Sequence, residues 1–310
     1  MSAGGTPGAA GLARIGLTLH RVRVPLRVPL GGQPFREATL VQGPLGWGEY
    51  SPLPGYPSDP HRCEEAVREA VCVGWPAPVR KEIPVNALVP AVDAETAARL
   101  AADALSAGMT TVKVKVGDGP LAADVDRVAA VRAALGPAGL IRVDANGAWD
   151  VDTAVAALDG LAAYDLELAE QPVADLADLA AVRRRVAVPV AADESIRALE
   201  DARRLAALEA ADVIVVKVQP LGGVRAALQV IEAAGAPAIV SSLYETSIGL
   251  AAGVALAAAL PELPYACGLA TGSLLAGDVV AEPLVPQGGT LPVCRPEPDP
   301  DLLARWAVDV

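Results

Sequence analysis

Thr111-Val112-Lys113-Val114-Lys115-Val116 reads as a β-strand in which two lysines stand among β-branched, apolar neighbours. Side chains at i and i+2 share a strand face, so Lys113 and Lys115 point the same way. The choice of lysine is informative. The chain has 25 basic residues, yet lysine occurs only at Lys81, Lys113, Lys115 and Lys217, and all the others are arginine. Three of the four lysines therefore lie in strongly apolar segments. Lysine can give up its proton near neutral pH when its surroundings lower its pKa, and arginine cannot. Snorkelling from a strand end is the bland alternative.

Outward from this strand, short apolar runs alternate with Ala-rich stretches of helical spacing. Strands are predicted over 83–89, 111–116, 140–143, 166–168, 188–191, 213–218 and 238–241, with a weaker one at 265–268. Helices are predicted over 94–107, 121–134, 151–163, 176–186, 199–208, 224–234 and 247–260. Such alternation implies parallel strands with right-handed crossovers. Eight strands in about 200 residues point to an α/β fold of the (β/α)7β, TIM-like barrel type. An open doubly wound sheet is the alternative, but no G-x-G-x-x-G follows the first strand. Residues 1–82 have a different character, with hairpin segments at 15–24, 38–41 and 46–50, a Pro/Gly-rich turn at 51–57 and helical spacing at 62–73. They are expected to form an α+β capping domain ahead of a barrel over 83–282. The Pro-rich tail, 283–310, is expected to pack back on that first domain.

Composition narrows the class. A length of 310 residues suits two domains, and 53% hydrophobic residues argue against extensive disorder. A net charge of −12 disfavours nucleic acid or an anionic membrane as the main partner. The longest apolar run, 248–260, is too short to span a bilayer, so no membrane insertion is expected. Residues 1–13 read as a flexible lead and not as a signal peptide. Cys63, Cys72, Cys267 and Cys294 show no C-x-x-C spacing and are expected as free thiols in a reducing cytoplasm. A small-molecule substrate and a cytoplasmic monomer or homo-oligomer are the corresponding expectations.

The chemistry collects at the downstream ends of the predicted strands. Asp144 follows the third, Glu170 the fourth and Asp193 the fifth, while Lys217 lies on the sixth. In a β/α barrel these ends form the active-site face. Three carboxylates would then converge, with Lys115 and Lys217 facing each other across the mouth. Converging carboxylates repel unless a cation sits among them. Hard oxygen donors without Cys or His suit Mg²⁺ and disfavour zinc. A helix N-cap is the alternative for any single one of these acids. Period-two spacing places Lys113 with Lys115 and Arg142 with Asp144, and the added positive charge would lower the proton affinity of Lys115. A neutral lysine is a competent base for a proton next to a carboxylate, and a metal can stabilise the charge that develops there.

The set Lys113-Val114-Lys115, Asp144-Ala145-Asn146, Glu170-Gln171-Pro172, Asp193-Glu194-Ser195 and Lys217 resembles the enolase superfamily, muconate-lactonizing subgroup. That superfamily uses a Lys or His base with one or two Mg²⁺ ions. Gly46-Trp47-Gly48-Glu49-Tyr50-Ser51-Pro52-Leu53-Pro54-Gly55 resembles the capping-domain motif of the o-succinylbenzoate synthases of menaquinone biosynthesis. Ser241-Ser242-Leu243-Tyr244-Glu245-Thr246-Ser247-Ile248-Gly249 resembles their seventh-strand segment. The resemblance covers residues 21–277. Gly268-Leu269-Ala270-Thr271 departs from the Gly-Leu-Asp-Thr of the pattern.

The resemblance implies a Mg²⁺-dependent lyase that dehydrates 2-succinyl-6-hydroxy-2,4-cyclohexadiene-1-carboxylate to o-succinylbenzoate. It implies metal ligands Asp144, Glu170 and Asp193, a base and acid in Lys115, and a standing cation in Lys217. Substrate contacts are expected from Lys113, Arg142, Ser242 and Asn146. Gly222-Gly223 offers either backbone N–H groups for a carboxylate or only a tight turn. The loop 27–36 is either a mobile cover or a hairpin tip. Trp47, Trp149 and Tyr244 are read as core or strand-end residues before pocket residues, and His20 and His61 as bystanders. N-succinylamino acid racemase and dipeptide epimerase are the enzymatic alternatives. A catalytically silent Mg²⁺-binding barrel is the alternative of another class.

Overall fold

The computed structural model describes residues 11–12, 16–30 and 33–308. The lead expected over 1–13 lies outside these residues except for Gly11 and Leu12, and the Gly31-Gly32 tip of the 27–36 loop also lies outside. Leu12 is buried against Val41, Tyr50 and Val67.

A three-stranded antiparallel sheet opens the chain: β1 (Thr18–Leu30), β2 (Gln33–Gly43) and β3 (Gly46–Tyr50). The helix Pro60–Arg68 packs on it through Cys63, Ala66 and Val67. Asp59 caps this helix by accepting from the His61 N–H, and Pro60 stands at the first position, where its missing N–H costs nothing. A π-helical turn, Glu69–Val73, continues it.

The second unit is a curled, all-parallel sheet of seven strands: β5 (Ala87–Val89), β6 (Thr111–Lys115), β7 (Leu140–Asp144), β8 (Leu166–Glu170), β9 (Val190–Ala192), β10 (Val213–Val216) and β11 (Ala238–Val240), hydrogen-bonded in chain order. Helices cover its outer face, several of them started by Asp or Thr caps such as Asp93, Asp150 and Thr246. Val112 and Val114 face those helices, whereas Leu168, Ala191, Val213, Val215 and Ile239 fill the space inside the sheet. The strand expected over 83–89 is broken in two. Its first part, β4 (Glu82–Pro84), pairs with β12 (Thr290–Pro292), and Val85 turns to Cys267. The expected eighth strand contributes only two parallel bridges, Val85↔Cys267 and Ser241↔Gly268. These join the two ends of the sheet, so the barrel closes through a contact too short to form a regular strand.

The tail touches both units. β12 lies beside β4, while the helix Pro300–Trp306 lies along β1, where Ala307 bridges Val22. No described helix is long and apolar enough to cross a membrane. All four cysteines are free; Cys63 and Cys267 are buried.

Candidate active site

Strand register builds the site. Across β6, β7 and β8, Lys115 pairs with Asp144 and Asp144 with Glu170, so the three stand in one row at the carboxyl ends of neighbouring strands. Asp193 follows β9 directly, and Lys217 follows β10. None of the three acids caps a helix: the caps of the helices after β7 and β8 are Asp150 and Asp175.

Lysines and carboxylates interlock. Lys113 Nζ lies 2.9 Å from Asp144 Oδ2 and 2.6 Å from Glu170 Oε1. Lys115 Nζ lies 2.7 Å from the same Asp144 oxygen and 2.6 Å from Asn146 Oδ1. Lys217 Nζ pairs with both oxygens of Asp193. Burial works to raise the Asp144 carboxyl, but Lys113 and Lys115 outweigh it and hold the group well below the usual carboxylate range. Burial likewise works to lower Lys113, but Asp144 and Glu170 outweigh it and keep the ammonium charged. Glu170 is different. Burial, reinforced by Asp144 and Asp193, pushes its carboxyl up to about 8 although Lys113 opposes the rise.

That rise bears on a cation. Burial and the neighbouring acids disfavour the charged form of Glu170, and a cation placed among Asp144, Glu170 and Asp193 would relieve that repulsion. The convergent donors are all hard oxygens, with no Cys or His among them, and Mg²⁺ is the metal that prefers such a set. Among the described residues no ready-made cluster of three such side chains is closed enough to hold a metal, because the ammonium groups of Lys113 and Lys217 are paired with the same carboxylates. The donor chemistry and the crowding of the acids fit Mg²⁺.

Gln171 fixes the spacing between two of these strand ends. It sits in the left-handed region (φ 39°), and its side-chain oxygen accepts from the Asp193 N–H at 2.7 Å and from Ser195 Oγ at 3.0 Å. Asn146 is likewise left-handed (φ 48°), a conformation for which Asn is enriched. Its N–H donates to Asp144 Oδ1 at 3.0 Å, and its side-chain nitrogen donates to Glu194 Oε1 at 2.8 Å.

The acids and lysines open into a cleft of about 1340 Å³ between the two units. Its outer wall comes from the first unit through Arg27, Phe35, Leu53 and Tyr56, among others. Tyr56 was not legible as a site residue, since the Pro/Gly density around it signals only a turn. Its hydroxyl donates to Asp193 Oδ1 at 3.0 Å and accepts from Lys217 Nζ at 3.3 Å. Burial raises this phenol well above its ordinary value, and Asp193 adds to the effect, so it remains a donor.

The structure places the other expected residues as follows. Arg142 shares the face of Asp144 but does not line the cleft. β8 carries an extra residue, Glu167, between the partners of Ile141 and Arg142, and this bulge turns Glu167 onto the Arg142 guanidinium. Asn86 Oδ1 and the Ala266 carbonyl accept from the guanidinium as well, so Arg142 serves the interior of the barrel. Lys113 and Ser242 do line the cleft. The Ser242 hydroxyl is held at 2.7 Å from the Gly268 carbonyl and 2.8 Å from Thr271 Oγ1. Ala270 and Tyr244 also line the cleft, whereas Trp47 and Trp149 pack against apolar clusters.

The Gly222-Gly223 turn is not open to a ligand. Glu69 of the first unit accepts from the N–H groups of Val224 and Arg225 at 2.5 and 3.2 Å, and so caps the helix Val224–Ala234. Gly223 stands at φ 121° with this carboxylate against it, leaving no room for a side chain. Glu49 does the same for the helix Ser247–Ala259, accepting from the N–H groups of Thr246 and Gly249, both at 3.1 Å, and from the Thr246 hydroxyl. Burial pushes the Glu49 carboxyl up to about 7.

Comparison with known proteins agrees with this architecture. The family pattern described as enolase C-terminal domain-like matches residues 96–299, and the enolase N-terminal domain-like pattern matches residues 21–65. An o-succinylbenzoate synthase of Thermobifida fusca (strain YX) is 57% identical over 94% of this chain and 92% of its own length. One from Mycolicibacterium smegmatis is 45% identical over 97% and 94%. Among solved structures, muconate lactonizing enzyme from Pseudomonas fluorescens superposes with a TM-score of 0.86 at 24% identity, covering 94% of this chain and 98% of that one. A dipeptide epimerase from Enterococcus faecalis V583 superposes at 0.81 and 24% identity, covering 91% and 97%. Likeness at that identity concerns the fold alone.

Proposed function

The chain belongs to the o-succinylbenzoate synthases of the enolase superfamily, and from that membership we propose that it dehydrates 2-succinyl-6-hydroxy-2,4-cyclohexadiene-1-carboxylate to o-succinylbenzoate, the carbon–oxygen lyase step of menaquinone biosynthesis. The observation that carries this reading is the row Lys115–Asp144–Glu170 at adjacent strand ends, with Lys217 and Asp193 across the mouth.

Asp144, Glu170 and Asp193 would hold Mg²⁺, which when bound stabilises negative charge developing on the ring carboxylate. Lys115 takes the proton from C1. The electron pair released from C1–H becomes the new ring double bond as the C6–O bond breaks. Lys115 then returns its proton to the departing hydroxyl on the same face, and water leaves. The lysine ends neutral, as it began. Lys217 keeps its charge throughout, held by Asp193 and by the Tyr56 hydroxyl. Because the product is aromatic, elimination runs strongly downhill and little besides proton positioning is asked of the protein.

We assign residues 1–82 to the capping domain and 83–282 to the barrel. In this reading the capping domain supplies the outer wall of the cleft and excludes water. The enzyme acts in the cytoplasm on a small molecule, without nucleic acid, as a monomer or homo-oligomer. The test is conversion of the cyclohexadiene substrate followed by the ultraviolet absorbance of the aromatic product. Rapid conversion that EDTA stops and Mg²⁺ restores is expected. No conversion at saturating Mg²⁺ would sink the reading.

A further inference from the structure

We propose that Glu194 is a positioning residue for the general base and acts through the Asn146 carboxamide; this rests on the reading above that Lys115 is that base. The contacts form a chain. Glu194 Oε1 accepts from Asn146 Nδ2 at 2.8 Å, and Asn146 Oδ1 accepts from Lys115 Nζ at 2.6 Å. Among the described residues Asn146 supplies the only hydrogen bond to the Glu194 side chain, whose Oε2 is buried without a partner.

A carboxamide has two ends of nearly the same shape, one donating and one accepting. If the donating end met Lys115, its N–H would take up the lone pair of the neutral amine, the position that has to face the substrate. A carboxylate accepts only. Glu194 therefore draws the amide nitrogen to itself and leaves the oxygen for Lys115. The backbone keeps the pair in place: Asn146 is left-handed, and its own N–H is tied to Asp144 Oδ1 at 3.0 Å.

The consequence is directional. Neutral lysine has two N–H bonds and one lone pair. Asp144 Oδ2 and Asn146 Oδ1 both accept, so they occupy the two N–H directions and the lone pair takes the third. Only that third position exchanges a proton with the substrate. The proton taken from carbon is then the one delivered to the hydroxyl, as elimination on a single face requires. Glu194 makes no hydrogen bond to Lys115, so it acts on the base by orienting Asn146.

The experiment is a double-mutant cycle on the Mg²⁺-loaded enzyme with Glu194→Gln, Asn146→Ala and the double variant. It reads kcat, KM and the primary deuterium isotope effect with substrate labelled at C1. The carboxamide introduced by Glu194→Gln can present either end to Asn146, so the Asn146 amide loses its fixed direction. A misdirected base typically costs on the order of 10–100-fold. The expected result is a fall in kcat of that order for Glu194→Gln, KM within about twofold of wild type, and a larger isotope effect as proton transfer becomes more rate-limiting. In the Asn146→Ala background, Glu194→Gln should add nothing further, because the route is already cut. Multiplicative losses would overturn the proposal, as would a lower kcat with an unchanged isotope effect, which signals only a smaller fraction of folded enzyme. Should Asn146→Ala fail to fold, Asn146→Ser completes the cycle. A wild type that does not dehydrate the substrate overturns the proposed function; an active wild type indistinguishable from Glu194→Gln overturns this inference alone.

Discussion

The ring of Tyr56 lies over the Lys217 ammonium, with Nζ 4.4 Å from the ring centre, although the two residues are 161 positions apart in the chain. A turn of the first unit thus supplies both a π-face and a hydroxyl to the lysine across the cleft from Lys115. Tyr56→Phe keeps the cation–π contact and loses the hydrogen bonds to Asp193 and Lys217. A hydrogen bond to a charged group contributes about 1.5–3 kcal/mol, so kcat/KM should fall by about tenfold or more. Tyr56→Ala loses the ring as well and should fall further. Steady-state kinetics on the two variants decide the matter; equal activity of Tyr56→Phe and wild type would remove the hydroxyl from the site.

Glu49 makes stability depend on pH in a stated direction. Its carboxyl rises from 4.5 to about 7 on folding, chiefly through burial. With the folded value above the unfolded one, the contribution is fully present below about pH 4.5 and is lost as pH rises through about 7. Since one pKa unit corresponds to about 1.4 kcal/mol, the total is on the order of 3 kcal/mol. Melting curves of wild type and Glu49→Gln between pH 5 and 8 test this. The difference in stability, wild type minus variant, should shrink with rising pH. A difference that stays constant or grows shows that Glu49 is ionised throughout, held so by the N–H and hydroxyl donors around it.

Glu69 is the second carboxylate with which the first unit caps a barrel helix. Losing such a cap costs about 0.5–2 kcal/mol. Glu69→Ala should therefore lower Tm by a few degrees and raise KM for the dehydration substrate, because the first unit loses an anchor on the barrel. Gly223→Ala should do at least as much, since its added carbon meets the Glu69 carboxylate and φ 121° disfavours any side chain. Calorimetric melts measure the first effect and initial rates the second. A Glu69→Ala protein as stable as wild type would show that water caps the helix equally well.

These residues mark where the sequence stops being readable. The row Lys115–Asp144–Glu170 was legible because each residue ends a β-branched or apolar run, and parallel strands in register place such ends side by side. The Arg142 partner was not legible for a local reason: period-two spacing holds along β7, but a one-residue bulge in β8 supplies Glu167 as an inward partner. Gly222-Gly223 reads equally as an anion site or a tight turn, and only the Glu69 carboxylate that the first unit docks there decides between them. Tyr56, Glu49 and Glu69 act across the boundary between the two units, and no periodicity within either unit encodes such a contact. The eighth strand was legible only faintly because it makes two bridges and no ladder.

Removing any one carboxylate should abolish turnover while leaving the fold intact. Asp144→Asn, Glu170→Gln and Asp193→Asn keep side-chain volume and remove one negative charge from a crowded set. Each should bind Mg²⁺ far more weakly by isothermal titration calorimetry and show no measurable dehydration. Glu170→Gln should in addition be at least as stable as wild type without metal, because its carboxyl is the one pushed up to about 8 by burial and by Asp144. Near-normal turnover by Glu170→Gln would exclude it as a ligand.

The two lysines separate dehydration from racemisation. Elimination on one face needs one base that serves twice, whereas racemisation needs a base on each face. Lys115→Ala should abolish dehydration, since loss of a general base alone typically costs about 10²–10⁴-fold and here the acid is lost with it. Lys115→Arg should fail equally, because guanidinium keeps its proton. Lys217→Ala should be severely impaired through the loss of a charge buried against Asp193 and Tyr56. Lys217→Arg keeps that charge and should recover part of the rate. The companion measurement is α-proton exchange in D₂O for both enantiomers of an N-succinylamino acid. Negligible exchange beside fast dehydration fits a one-base lyase. Fast exchange of both enantiomers by wild type, with each alanine variant losing only one of them, would assign proton transfer to both lysines and make the enzyme a racemase or a bifunctional catalyst.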